Sequence, residues 1–263
     1  MSTLRQAVAA EWGKLWSVRS TWWCLACALA LTVLTAVTLG GGIATEALRE
    51  GAAGVRVTAS EPVVSATSFV QFALVAPAML TITSEYASGG IRATLQATPV
   101  RGVVLAAKAL VVAPVMFVTG VVTGAVATAA VYVVLSAEVF GGLVVLPAGE
   151  AALDLLGVGV FFALVSVMTV GVGAAMRSAA GTLTVVFMLL MGLPLMLLMT
   201  GSQAAVDASM RMPMFAGLAF MGSTDNLTGG PMPYSAGEGL VWLLAWTAAG
   251  VAAGHAVLRR RDA

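Results

Sequence analysis

Six long apolar runs dominate the sequence, and they leave the chain very few ways to fold. In lipid, every backbone N–H and C=O must be satisfied internally, so only helices or a closed barrel can span. A spanning helix takes about 20 apolar residues, whereas barrel strands read as short alternating segments. The runs fall at about residues 22–39, 63–83, 104–135, 153–175, 182–200 and 240–258, and all are of the helical kind. Only 10% of the 263 residues are charged, against about a quarter in a soluble domain. The expectation is an all-α, polytopic membrane protein with six transmembrane helices in one domain covering residues 1–263.

Several residues interrupt these runs. The first is expected to stop at Gly40-Gly41-Gly42. Pro77, Pro114 and Pro194 lie inside later runs, where proline is tolerated but leaves a kink and a free carbonyl. Lys108 is expected to snorkel to the interface, and Asp154 to lie near one. Gly120/Gly124 and Gly250/Gly254 are GxxxG pairs that permit close helix contact, either within the chain or at a dimer seam.

Six spans put both termini on one side, and basic residues choose the side. Ten Lys and Arg residues share the terminal side with three acids, while three Arg residues and nine acids fall opposite. Such a Lys/Arg bias marks the cytoplasmic side, so both termini are expected to be cytoplasmic in the cell membrane.

Two segments lie outside the spans yet carry apolar pattern. Leu4, Val8, Trp12, Leu15 and Trp16 follow helical spacing, with Arg5, Gln6, Lys14 and Ser17 largely on other faces. This predicts an N-terminal interfacial helix, with Trp12, Lys14, Leu15, Trp16 and Arg19 at headgroup level. A cleaved signal peptide is not expected, because the apolar run starts late and is too long for an h-region. Between the last two runs, Met210, Met212, Met214, Phe215, Leu218, Phe220 and Met221 form a stretch too short to cross, broken by Pro213. The expectation is a re-entrant outer segment, with Pro213, Phe215 and Leu218 contributing to an outer gate. Turn residues Asn226, Gly229, Gly230, Pro231 and Pro233 follow it.

The longest polar break with a basic balance is ITSEYASGGIRATLQATPVRGVVLAAK, residues 82–108. It reads as a helical extension of the second span that turns at Ser88-Gly89-Gly90. A short amphipathic helix over Ile91–Ala97 follows, and Pro99 ends it. Ile91 and Leu95, four apart, form an apolar stripe with Arg92 beside it, suited to a partner groove.

The order S-E-Y-A-S-G-G-I-R-A-T-L, then a proline, an Arg-Gly pair and A-A-K, resembles the first intracellular loop of ABC-2 type transporter permeases. The pattern E-W-G-K-L-W-S-V-R-S-T-W-W before the first span and the closing R-R-R-D-A resemble that family as well. The resemblance implies a membrane-spanning permease subunit of an ABC exporter, paired with a second permease copy or paralogue and driven by a separate ABC ATPase subunit. It implies that Glu85, Tyr86, Gly89, Gly90, Ile91, Arg92, Leu95, Pro99 and Arg101 form the loop that couples to that ATPase. It also implies that ATP and magnesium bind the partner subunit. No cofactor, metal or catalytic residue is expected on this chain, and no nucleic-acid partner.

The residues themselves agree with a chain that hydrolyses nothing. A phosphate-cradling loop needs G-x-x-x-x-G-K-[ST]. Leu15 follows Lys14, and Lys108 follows Ala107, so neither lysine has that setting. Cys24 and Cys27 sit in the first run and read as small apolar residues, since metal sites take three or four ligands. An intramembrane serine protease would use a serine in a G-x-S-G setting, which is missing, and His255 reads as an interfacial polar residue. An ion-coupled carrier would show ionisable residues at mid-membrane, and the runs are nearly free of them.

Overall fold

The computed structural model describes residues 2–49, 56–137, 140, 144–223 and 232–260. Glu50, Glu138, Asn226, Gly229, Gly230, Pro231 and the terminal 261–263 lie outside the described residues. The chain is an all-α bundle. Helices α1 (Ser2–Ser17), α2 (Arg19–Arg49), α3 (Glu61–Ser88) and α4 (Ile91–Ala97) come first, then α5 (Arg101–Leu135) and α6 (Ala148–Met176). There follow α7 (Ala179–Phe187), α8 (Leu193–Met199), α9 (Gln203–Met210), α10 (Pro213–Phe220) and α11 (Ala236–Arg260). The only described sheet is a two-residue parallel bridge, in which β1 (Val57–Thr58) meets β2 (Val144–Val145). Six helical stretches are long and apolar enough to cross a membrane: α2, α3, α5, α6, the α7–α8 unit and α11. The protein is a multi-pass membrane protein.

The first span does not stop at its three glycines. α2 continues through Gly40, Gly41 and Gly42 to Arg49. Glycine breaks helices in water because the unfolded backbone gains entropy and hydration. In an apolar surrounding the N–H groups have no partner other than the helix. Gly40 also packs against Pro62, Val131 and Leu135, where a side chain would crowd all three.

Pro194 has no N–H for the carbonyl one turn back. The helix absorbs this in a π turn, Met188–Gly192, between α7 and α8. Pro77 and Pro114 lie within the continuous helices α3 and α5.

α3 and α6 form the centre. Two-thirds of the most apolar stretch of each is buried, against 22% for α2, the α7–α8 unit and α11. The peripheral helices therefore turn most of their apolar surface outward, as lipid-facing helices do. α6 meets α5 on one side through Gly120, where an added Cβ would lie 2.9 Å from the Phe162 ring and 3.0 Å from Gly159 Cα. It meets α11 on another through Gly171, Gly250 and Gly254. There an added Cβ on Gly171 would lie 2.5 Å from the backbone of Gly250. Both GxxxG pairs are thus occupied within the chain.

α9 and α10 fold back on the spans at the end opposite to α4. Residues Pro213 to Ala219 of α10 are all buried, Phe215 completely, against α11, α3, α6 and the π turn. The segment is held by Ser209 Oγ donating to the Pro194 carbonyl (2.8 Å) and Trp246 Nε1 donating to the Arg211 carbonyl (2.9 Å). The Tyr234 hydroxyl donates to the Met210 carbonyl. Burial, with Glu238 adding to it and Arg211 opposing, pushes that hydroxyl up to about 12, so it stays protonated across neutral pH.

The α6–α11 seam gives a direct test. Gly171→Leu should force the two backbones apart and cost at least the ~1–3 kcal/mol typical of overpacking. Gly41→Leu, with nothing within 4 Å of its Cβ, should be tolerated. Thermal midpoints of the two variants in detergent, followed by size-exclusion chromatography, check the contrast. Equal midpoints would remove the seam as a constraint.

Candidate functional site

At one end of the bundle four charged side chains from three helices, α1, α3 and α5, converge. The periodicity of α1 sets this up. Its inward face carries Leu4, Val8, Glu11 and Leu15, so an acid stands in an otherwise apolar stripe. Leu15 packs with Val111 and Val115 of α5, and Glu11 meets Lys108 one turn earlier. α1 therefore runs alongside α5 in the same sense.

Lys108 does not snorkel to water. Its side chain is 0% exposed, and its ammonium donates to Glu11 Oε2 (2.7 Å), the Thr81 carbonyl (2.7 Å) and Glu85 Oε1 (2.9 Å). The reason is proximity: carboxylates from α1 and α3 lie closer than solvent, and three acceptors match three N–H donors. Lys14, with its side chain 47% exposed, donates to Glu11 Oε1 (2.8 Å), Glu85 Oε1 (2.8 Å) and Thr94 Oγ1 (3.3 Å). Two ammoniums and two carboxylates thus tie α1, α3, α4 and α5 together. Burial opposes the charge on Lys14, but the bonds from Glu11 and Glu85 outweigh it and raise its pKa above the ordinary 10.5.

The donor count closes and the acceptor count does not. All six N–H bonds of the two lysines are engaged, while Glu85 Oε2 is buried with no hydrogen-bond partner. Beside the cluster is a cavity of about 290 Å³, lined by Glu85, Lys14 and Lys108 together with Leu15, Pro77 and Leu80.

The loop residues singled out in the sequence surround this cluster. Gly89 ends α3 at φ 74°, a left-handed turn that suits glycine, and its N–H donates to the Tyr86 carbonyl. α4 then covers the residues expected of it, Ile91–Ala97. Ile91 is buried and Leu95 half-buried, whereas Arg92, Ala93, Gln96, Ala97 and Pro99 are exposed. The apolar stripe therefore faces this chain, and α4 presents the opposite face outward. Arg101 donates to the Leu258 carbonyl, one of the orphan acceptors at the C-terminus of α11.

Arg177, between α6 and α7, sits at φ 55° and holds its guanidinium 5.4 Å from the Tyr86 ring. Glu85, Tyr86 and Arg101 are thus engaged within the chain. Of the N-terminal residues, Leu15 is buried and Trp16 half-buried, while Trp12 and Arg19 are exposed. Pro213, Phe215 and Leu218 belong to the opposite end and form no part of this cluster; they are core residues of α10.

Sequence reasoning named Lys14 and Glu85 for other roles and missed Glu11 and Lys108 as partners. An acid on the apolar face of one helix and a lone lysine inside a span were the available signal. Among the described residues no group of three His, Cys, Asp or Glu could hold a metal. No family model matches the chain, and no curated protein matches it.

Lys108→Met should leave two buried carboxylates sharing one half-exposed ammonium, and should destabilise the bundle by about 3–5 kcal/mol. Adding Glu11→Gln should recover most of the loss, because the unpaired charge is removed. Thermal midpoints at pH 7 measure both. For Lys14 the folded pKa is raised, so its stabilisation is complete below about pH 10.5 and is lost as pH rises through the folded value. Lys14→Gln should therefore have a flatter alkaline limb than the parent, and an unchanged limb would remove Lys14 from the network.

Proposed function

We propose that the chain is the membrane-spanning permease subunit of an ABC-2 type exporter, working as a dimer with a separate ATPase. The observation that carries this reading is the placement of α4. It is a seven-residue helix set across the basic end between a glycine turn and Pro99, and its exposed face carries Arg92 and Gln96 beside Ala93 and Ala97. It is linked by Thr94, Lys14 and Glu85 to Lys108 in α5. A partner seated on α4 would act on α1, α3 and α5 together, which is what an external motor requires. The likeness of residues 84–108 to the ABC-2 intracellular loop points the same way.

The basic end carries the Lys/Arg excess, which supports its being cytoplasmic. Arg92, Arg101 and Arg177 lie there, and Glu61, Glu150 and Asp154 lie at the other end, where Ser60 Oγ donates to Asp154. An ion-coupled carrier is less well supported. The buried charges sit near the start of α5 rather than at mid-span, and their lysine donors are saturated.

Two measurements test the proposal. Reporter fusions after Arg101 and Arg177 should read inside, and one after Pro147 outside; an external reading at Arg101 would sink the orientation. Arg92→Glu with Gln96→Glu changes only exposed residues of α4. It should leave abundance and thermal midpoint unchanged while abolishing co-purification of an ATPase and transport. Full transport by this variant would remove α4 as the coupling element.

A further inference from the structure

We infer that the cavity beside the charge cluster is a phosphate site, filled by the phosphodiester of an anionic membrane phospholipid such as phosphatidylglycerol. A break in the backbone supplies its donors. α1 ends at Ser17 and α2 begins at Arg19, so the helix restarts at Val18. The first N–H groups of a new helix have no carbonyl one turn back. Thr21 N–H finds one in a tight turn, the Val18 carbonyl at 3.2 Å. The N–H groups of Arg19 and Ser20 have no acceptor among the described residues. Such a terminus favours an anion through its free N–H groups and its dipole.

A buried side chain points to the same ligand. Thr21 is 6% exposed and lines the cavity. Its hydroxyl has no hydrogen-bond partner among the described residues, yet it is not one of the polar atoms that the fold seals off completely. It therefore opens on the cavity, unlike Glu85 Oε2. The other hydroxyls differ: those of Ser17, Thr81 and Ser84 donate to carbonyls of their own helices. A hydroxyl so enclosed gains from an acceptor, and most from a charged one. Ser20, exposed, lines the cavity beside it.

The charge within reach has the matching sign. Glu11 and Glu85 also line the cavity, but their side chains are only 8% and 12% exposed and both are paired with the lysines. Two ammoniums balance two carboxylates, which leaves Arg19 and the α2 dipole as the net local charge. Lys14 is 47% exposed, and Arg19, on the same turn as Ser20 and Thr21, is exposed as well. A monoanion is favoured there, whereas a zwitterionic head would bring an ammonium against both. Leu15, Pro77 and Leu80 give an apolar wall for the glycerol and first methylenes.

Size and depth agree. A cavity of about 290 Å³ is at the low end of ligand pockets, roughly 300–1,000 Å³, and so takes a head rather than a whole lipid. Trp12, Trp22 and Trp23 are exposed at the same end, as side chains are at headgroup level. The acyl chains then run along the outward-facing apolar surface of α2. This site is independent of the transport reading, since it concerns only what the cavity binds.

Native mass spectrometry of the full chain released from detergent tests the proposal. The probes are phosphatidylglycerol, phosphatidylethanolamine and inorganic phosphate. One phosphatidylglycerol should be retained in preference to phosphatidylethanolamine, and excess inorganic phosphate should not displace it. Thr21→Val keeps the shape and removes the hydroxyl. It should weaken retention about ten-fold, the worth of one hydrogen bond to a charged acceptor. Leu80→Trp, which fills the cavity and spares every donor, should erase the preference and decides the matter if the first variant fails to fold. Arg5→Gln removes an exposed charge of α1 away from the cavity and should leave retention unchanged. Equal retention of the two lipids would overturn the proposal, as would a preference that survives Leu80→Trp. A loss on Arg5→Gln as large as on Thr21→Val would mean general charge attraction and overturn it too. Phosphate taking the place of the lipid would assign the cavity to a free anion and overturn the lipid site.

Discussion

A single ammonium group, Lys108 Nζ, sets the architecture of the basic end. It is fully enclosed, and a charge in that position must be paired and hydrogen-bonded or it is strongly destabilising. Its three N–H groups point to α1, to a carbonyl of α3 and to a carboxylate of α3. Those directions fix where α1 can lie. Without Glu11, the N-terminal helix would be free to slide along α5 on its small apolar face, because Val8, Leu15 and Trp16 alone give no register. With Glu11, it has one. Lys14 extends the same constraint to α4 through Thr94, so the placement of four elements follows from one buried charge.

The other fixed point is steric. α6 is approached by α5 at Gly120 and by α11 at Gly171, Gly250 and Gly254. Between spans in lipid there is little hydrophobic gain from association, so close backbone packing carries it. That places α6 at the centre beside α3 and leaves α2, the α7–α8 unit and α11 with outward faces. The α9–α10 segment completes this packing, since α10 fills the space beside Phe161, where the missing side chain of Gly217 lets an edge of the ring come close to the backbone. An apolar segment of eight residues that cannot span is thus buried by protein rather than by lipid.

These two constraints explain what was legible in the sequence. Six spans, the N-terminal helix and the short Ile91–Ala97 helix follow from length, period and turn residues, which are local signals. Gly40-Gly41-Gly42 misled because the helix-breaking tendency of glycine is measured against water, and α2 there is packed against α3 and α5. Lys108 misled because snorkelling assumes water is the nearest partner, whereas Glu11 is 97 residues away in sequence and adjacent in space. Ile91 was read as presented outward because a stripe has no stated direction. The fold turns it inward, and Arg92 and Gln96 take the outer face. In each case the missing information is a tertiary neighbour, which periodicity along one helix does not contain.

The two lysines also divide the mechanical properties of the basic end. Lys108 is enclosed, so separating it from Glu11 or Glu85 would strand a buried charge and costs several kcal/mol. Lys14 is half exposed, and water can replace Thr94 or a carboxylate on its ammonium at a cost of about 1 kcal/mol or less. A displacement applied to α4 therefore meets a compliant link first and a stiff one behind it. Small movements strain the Lys14 contacts before the Lys108 pairs. Larger ones reach Glu85, whose Oε1 is shared by both lysines, and then move the three helices as one body. The threshold between the two regimes is set by that shared oxygen.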